Sequence, residues 1–328
     1  MKTKIFPLWA VTAMLLLTAC YHDQHEEMTS EYGDQPVGYL TAQLVWDDPA
    51  DANSAIDDIR FTVSGTNGTT VAHNFTDTES AADWLQQLPV GDYDVLVTVD
   101  MDEAHGYVLE NAATRGTTRA DEATVTTALP DTRVSLAEPS SSPAQAWYAV
   151  THATVKEDEI TVAEFKLQRL LSELSVIVSN VPTGAAITAS VERVASDVLL
   201  THRDGQGRYG VADREDYITV SLGALAADPA DAATLRHDDH TLMPTAGGQE
   251  RCYLSLSVTT PEGTRLTYLA DAPRMECGRT YVVELDYTKL RPYMLLSAFT
   301  INDWTEGWAI TGEITDPTPS PSPVMGGE

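Results

Sequence analysis

Two short stretches concentrate side chains that could bind an ion. In "HDDH" (237–240), His237, Asp238, Asp239 and His240 stand side by side, and imidazole with carboxylate is a donor set for a divalent cation. Adjacent ligands rarely converge on one ion without a supporting loop, so a solvated loop is the plainer reading. The acidic stretch "DDPADANSAIDD" (47–58) carries Asp47, Asp48, Asp51, Asn53, Asp57 and Asp58, hard oxygen donors of the kind Ca²⁺ takes. It lacks EF-hand spacing and the closing Glu, and reads as an acidic loop. Arg60 follows it at the head of a strand and reads as one exposed basic residue. The chain carries no G-x-S-x-G nucleophile elbow, P-loop, H-E-x-x-H or C-x-x-C, each of which would place reactive groups by a known mechanism. "DGQGRYG" (204–210) has one G-x-G with no helix after it and reads as a turn. Trp304 and Trp308 could line a sugar platform or plug a core. No catalytic residue, metal site or dissociable cofactor is expected, and the protein reads as a non-enzyme.

The thiols are more informative. Lys2 and Lys4 open the chain, an apolar run spans 5–17, and small residues Thr18 and Ala19 precede Cys20. These are the parts of a secretory signal; at about 13 residues the run is too short to span a bilayer, which takes about 20. "LTAC" resembles the bacterial lipobox, in which the Cys thiol receives a diacylglyceryl group and becomes the mature N-terminus. Several acyl chains anchor stably where one is marginal, so a covalent lipid on Cys20 would tie the protein to a membrane for good. The acidic "HDQHEE" that follows looks like an export tag of Bacteroidetes-type surface lipoproteins. Only Cys252 and Cys277 remain. In an oxidising envelope compartment they are candidates for a disulfide, which over a loop of about 25 residues would contribute roughly 3 kcal/mol. Cys252 shares an alternating face with Leu254, Leu256 and Val258, so the alternative is a small buried hydrophobe.

The formal net charge of -29, from 20 Lys and Arg against 49 Asp and Glu, argues against nucleic acid and anionic lipid surfaces as partners, since both need basic patches. No later run is apolar enough for a spanning helix.

The elements that must position these groups are strands. In "VGYLTAQLVW" (37–46), Gly38, Leu40, Ala42, Leu44 and Trp46 fall on one face, the period of a half-buried strand. "IRFTVSG", "TNG" and "TTVAHNF" form a predicted hairpin. A short helix is expected over 79–88, then a strand with Val95, Val97 and Val99 inward. "EPSSSPAQ" (138–145) is the best linker. Leu167, Leu170, Leu171 and Leu174 have helical spacing, yet "LSVIVSNV" is plainly a strand. The stretch 223–248 reads as one long loop, and 252–271 as a hairpin turning at Pro261 and Gly263. Many short strands with frequent turn signals mean an all-β sandwich architecture. The chain divides into a lipoprotein signal peptide (1–19), an acidic tether (20–36), an N-terminal β-sandwich domain (37–140), a C-terminal one (145–315) and a Pro/Ser-rich tail (316–328).

Three further features carry a family resemblance. "LQQLPVGDYDVLVTVD" has a Leu-Pro-x-Gly-x-Tyr turn feeding a strand; "FKLQRLLSELSVIVSNV" places Arg169 just before an apolar run; "INDWTEG" (301–307) is an I-x-x-W-x-x-G segment. In this order, with the lipobox, they resemble the fimbrillin-like lipoproteins of Bacteroidales, which include anchor-type minor subunits of type V pili. The resemblance implies two tandem transthyretin-like β-sandwich domains, no enzymatic activity, other fimbrial subunits as partners, and assembly by strand exchange at the outer-membrane surface. Pilus stem subunits lose their first strand to an Arg-specific protease, and Arg60 is the only Lys or Arg between Cys20 and Phe61. Cleavage there would free the first strand and sever the lipid; an anchor would keep both. The alternative is a surface glycan-binding lipoprotein with Trp304 and Trp308 as stacking platforms.

Overall fold

The computed structural model describes residues 32–111, 129, 131–292, 295–296 and 300–301. Its first half is β1 (Val37–Trp46), β2 (Ile59–Gly65), β3 (Thr70–Phe75), a short helix α1 (Thr78–Ala82), β4 (Leu85–Pro89), β5 (Gly91–Val99), β6 (Tyr107–Asn111), β7 (Thr132–Leu136), β8 (Trp147–Val155) and β9 (Ile160–Arg169). Seven of these make one sheet in the order β3-β2-β5-β8-β9-β1-β4. The alternation seen in the sequence is the cause: Ile59, Phe61 and Val63 of β2 and Val95, Val97 and Val99 of β5 all turn to one buried face. The β2–β3 turn closes through Gly68 in the left-handed region, at φ 85, which glycine takes at no steric cost. β8 and β9 pair only at Trp147–Arg169 and Tyr148–Gln168. Beyond that point β8 continues along β5 and β9 along β1. The sheet therefore folds over, and Leu40 of β1, Phe61 of β2, Val97 of β5 and Phe165 of β9 share one core.

The second half contains β10 (Ser172–Ser179), β11 (Ala186–Ala195), β12 (Asp197–Arg203), β13 (Tyr209–Val211), β14 (Tyr217–Ala224), β15 (Ala226–Ala227), β16 (Leu235–Leu242), β17 (Cys252–Thr259), β18 (Arg265–Ala272), β19 (Thr280–Asp286), β20 (Leu295–Leu296) and β21 (Thr300–Ile301). One sheet runs β15-β16-β10-β19-β21 and another β14-β11-β17-β18-β20. Leu174, Val176, Val191, Leu254, Leu256 and Val283 fill a second core between them. A third sheet, β13-β12-β7-β6, joins strands from both halves. Arg133 of β7 secures it, bonding Asp197 of β12 at 2.8 Å and Asp213 at 2.8 and 3.1 Å. The chain is all-β, and no helix among the described residues is long and apolar enough to cross a membrane.

Several expectations need correction. The sheets do not divide at 140–145. β8 and β9, which follow the Ser/Pro stretch, complete the first sheet, whereas Tyr107 of β6 and Val134 of β7, which precede it, belong to the second core. That stretch is itself pinned, with Thr241 N bonding Ser142 Oγ at 2.9 Å and Thr241 Oγ1 bonding Pro143 O at 2.6 Å; its composition marks a lack of ladder pairing, not a lack of neighbours. The helix expected over 79–88 ends at Ala82, because Leu85–Pro89 is taken up as a partner of β1. The stretch 223–248 is not one loop: β16 crosses it, with a bulge opposite Leu174–Val176 that its polar "RHDDH" sequence hides. The Cys252–Cys277 disulfide is absent. Both are free thiols: Cys252 is buried with Sγ 3.1 Å from Thr245 Oγ1. Burial pushes the Cys252 thiol up to about 11 and the Cys277 thiol to about 12, so neither is an activated thiolate.

Candidate functional site

β1 is the strand on which the functional question turns, and residues on both sides hold it. Its register with antiparallel β4 runs from Val37–Pro89 to Thr41–Leu85, and with parallel β9 from Tyr39–Ile160 to Trp46–Leu167. The strand is closed at both ends by loop contacts. Val90 N donates to Pro36 O and Asp158 N to Val37 O, each at 2.9 Å, while Asp47 N donates to Leu167 O at 2.9 Å. Thr41 Oγ1 adds a 2.7 Å bond to Trp84 O. Leu40 is fully buried and Ala42 nearly so. A Cβ at Gly38 would run into the Lys156 carbonyl, so the absence of a side chain is what lets β1 approach the β8–β9 turn. The predicted inward face, Gly38 through Trp46, is the one observed; Leu44 and Trp46 are half-buried at its far end.

A latch follows the strand. Asp51, in a 3₁₀ turn at Pro49–Asn53, is 6% exposed. Its Oδ2 accepts from Trp147 Nε1 at 2.8 Å and from Arg169 Nε at 2.9 Å, and its Oδ1 accepts from Arg169 Nη2 at 2.6 Å. This two-pronged geometry is the strong form of a guanidinium–carboxylate contact. It holds the Arg169 guanidinium above its ordinary pKa, with Asp51 as the leading cause. Asp48 lies 3.2 Å from Arg169 Nη2, and Asp47 pairs with Lys166. Asp47, Asp48 and Asp51, the acids at the start of this loop, are therefore bound to the cations of β9. Trp46 meets Trp147 edge-on at 5.4 Å, which seals the latch from the core side.

A cleft of about 770 Å³ opens beside the latch, lined by Arg169, Glu173, Arg208, Asp239 and Arg279 among others. Burial, and then the Asp239 carboxylate, push Glu173 above the usual carboxylate range. Arg208 is occupied by Asp204 at 2.9 Å and Glu276 at 3.1 Å. In this cleft Arg169 and Arg208 are held by carboxylates, and Asp239 is bonded to Ser175.

A model of the Mfa2 family, described as the fimbrillin-A-associated anchor proteins Mfa1 and Mfa2, matches residues 40–308. The chain belongs to this family. Its fold is similar to that of a candidate polysaccharide-binding protein from Bacteroides thetaiotaomicron, with 12% identity, a TM-score of 0.50, and coverage of 84% of this chain and 98% of that one. It is also similar to the fimbrial anchor protein Mfa2 from Porphyromonas gingivalis, at 15% identity and a TM-score of 0.48, covering 84% and 98%. A candidate adhesin from Bacteroides thetaiotaomicron gives 13% identity and a TM-score of 0.49, covering 82% and 97%. No curated protein sequence matches the chain.

Within this member of the family, the residues singled out from sequence have separate fates. Cys20, Trp304 and Trp308 lie outside the described residues. Arg60 is not at a free strand head: its backbone pairs with Asn74 of β3 and Thr98 of β5. Its side chain reaches Asp58 at 3.0 Å and Asp102 at 3.3 Å. "DGQGRYG" is a turn, with Asp204 Oδ1 accepting from Gln206 N at 2.8 Å and Arg208 N at 2.9 Å. In "HDDH", His237 Nε2 and His240 Nδ1 stand 3.2 Å apart, Asp238 pairs with Arg236 at 2.6 Å, and Asp239 turns to Ser175; the four do not converge. Sequence reasoning noticed Arg169 and counted Asp51 among the loop's oxygen donors, but missed their pairing and Trp147. The available signal was a strand-end arginine, which when buried requires a carboxylate partner.

Proposed function

We propose that the chain is a lipid-anchored, non-enzymatic subunit at the base of a fimbria, attached to the outer membrane through acylated Cys20 and facing the cell surface. Its partners are other fimbrial subunits, which it joins by strand addition. The observation that carries this reading is the placement of β1, hydrogen-bonded on both edges and latched at its end. An added strand supplies main-chain hydrogen bonds along its length and side-chain pockets at alternate positions. A subunit whose own first strand fills that place has no need to receive one there.

The position of Arg60 supports retention of the strand. A protease needs an extended, accessible backbone, and the Arg60–Phe61 bond lies inside a ladder paired on both sides, with Phe61 fully buried. Cleavage there would require β2 to leave its sheet. The charge of -29 agrees with partners that are proteins rather than nucleic acid. Isolation of fimbrial polymers from outer membranes tests the assignment: this chain should copurify with them, and deleting its gene should release polymers into the medium. Polymers that lack the chain and stay attached without it would overturn the assignment.

A further inference from the structure

Asp57, Asp100 and His105 each bring one donor atom to within 4.8 Å of the others. Asp57 precedes β2, Asp100 follows β5, and His105 closes the 3₁₀ turn Glu103–His105 before β6. We propose that these three side chains form a binding site for a first-row divalent cation, with Zn²⁺ the best match to the donors.

The imidazole is presented for the task. His105 Nδ1 lies 2.7 Å from Asp102 Oδ1, leaving Nε2 directed at Asp57 Oδ1, 3.0 Å away, and Asp100 Oδ1, 4.0 Å away. A carboxylate on the far nitrogen of a ligating imidazole is the usual outer support of a metal site, fixing the tautomer and orienting the ring. Two donors each about 2.0–2.2 Å from Zn²⁺ stand roughly 3.3–3.6 Å apart in a tetrahedron. The His105–Asp57 separation of 3.0 Å is a little short of that and the His105–Asp100 separation of 4.0 Å a little long, so each needs an adjustment of about half an ångström to seat an ion.

Asp100 is the second reason. It is 5% exposed, and His105 is the only basic side chain within 4.0 Å of its carboxylate among the described residues. Its Oδ1 accepts from Asp57 N and Asp58 N, both at 3.1 Å. These are neutral donors, which orient the carboxylate without neutralising it, and a buried charge is costly until it is paired. The wider cluster holds four carboxylates, Asp57, Asp58, Asp100 and Asp102, against one guanidinium, Arg60. With a neutral imidazole a dication would offset most of that excess.

The framework stands before any ion arrives. Asp100 N donates to Asp58 O and Tyr107 N to Asp102 O, each at 2.8 Å. The Asp57 side chain is 76% exposed, so one edge faces solvent, where water can complete the coordination shell. An imidazole among the donors favours zinc over Ca²⁺, which takes oxygen alone. A bound ion would tie the start of β2 to the β5–β6 turn.

The test is calorimetric titration of the chelator-stripped full chain with zinc chloride. One saturable equivalent is expected, weakened about tenfold or more by Asp57→Asn and by His105→Gln. Asp57→Asn is the decisive variant because its exposed side chain can change without disturbing the core. Zinc should raise the thermal midpoint of the parent chain more than that of the Asp57→Asn variant, while His237→Gln should bind as the parent does. Absence of saturable binding, binding as tight in Asp57→Asn as in the parent chain, or binding lost in His237→Gln would each overturn the proposal.

Discussion

β1 and β10 hold the same place in their sheets. β1 lies between parallel β9 and antiparallel β4, and β10 lies between parallel β19 and antiparallel β16. Their covalent ties differ. β10 continues into β9 on one side and β11 on the other, whereas before Val37 the described residues contribute no strand to any sheet. One cut after β1 would part it from the rest of the described chain; β10 would need two. Their packing differs in the same sense. Leu174, Val176 and Val178 of β10 are fully buried, while β1 sends Leu40 and Ala42 inward and leaves Leu44, Val45 and Trp46 half-buried. The weaker half of β1 is the one followed by the Asp51–Arg169 latch. The difference suggests that a terminal strand is retained by ladder and latch together, where an internal one needs only its core.

The comparison can be broken first at the core. Leu40→Ala and Leu174→Ala each empty a fully buried leucine site, and each should cost about 3–4 kcal/mol in urea unfolding. A much smaller loss at Leu40 would mean that β1 is not an integral strand. Next in size, Asp51→Ala leaves Arg169 and Trp147 without their shared acceptor. It should cost about 3 kcal/mol, less than a fully buried pair would because Arg169 keeps some exposure. Limited proteolysis of this variant should release β1 before any segment of β10 is cut; the reverse order would contradict the latch.

A third test concerns the β10 side. His240, opposite Leu174 on β16, is 6% exposed. Burial, and then the charge of His237, push its pKa down to about 4. The unfolded chain takes up this proton near pH 6.5 and the folded chain only near 4, so the contribution is complete above 6.5 and is lost as pH falls between those values. The loss should be on the order of 3 kcal/mol by pH 4, and His240→Phe should flatten that part of the stability profile. Arg60→Gln should have the least effect. Its ion pairs are half-exposed, worth about 1 kcal/mol or less, and the variant's mature N-terminus should match that of the parent chain.

Legibility in the sequence followed the range of each interaction. The inward face of β1, the β2–β3 hairpin and β17 could be read because side-chain alternation is local. β16 could not, because His240 is buried through a bulge and polar neighbours occupy the rest of the strand. The latch joins Asp51 to Arg169 across 118 residues, and no local pattern separates Asp51 from the exposed acids around it. The zinc candidate likewise joins one residue of the 47–58 loop to two that follow β5. The Ser/Pro stretch misled because linker composition says nothing of strands crossing it in space.

The central claim is that β1 and its tether are kept. Intact-mass and N-terminal peptide analysis of the protein extracted from outer membranes addresses it directly. The account predicts one continuous species, beginning at an acylated Cys20 and running unbroken through β1 and the Arg60–Phe61 bond. A mature chain beginning at Phe61, with no acyl group and no β1, would contradict it.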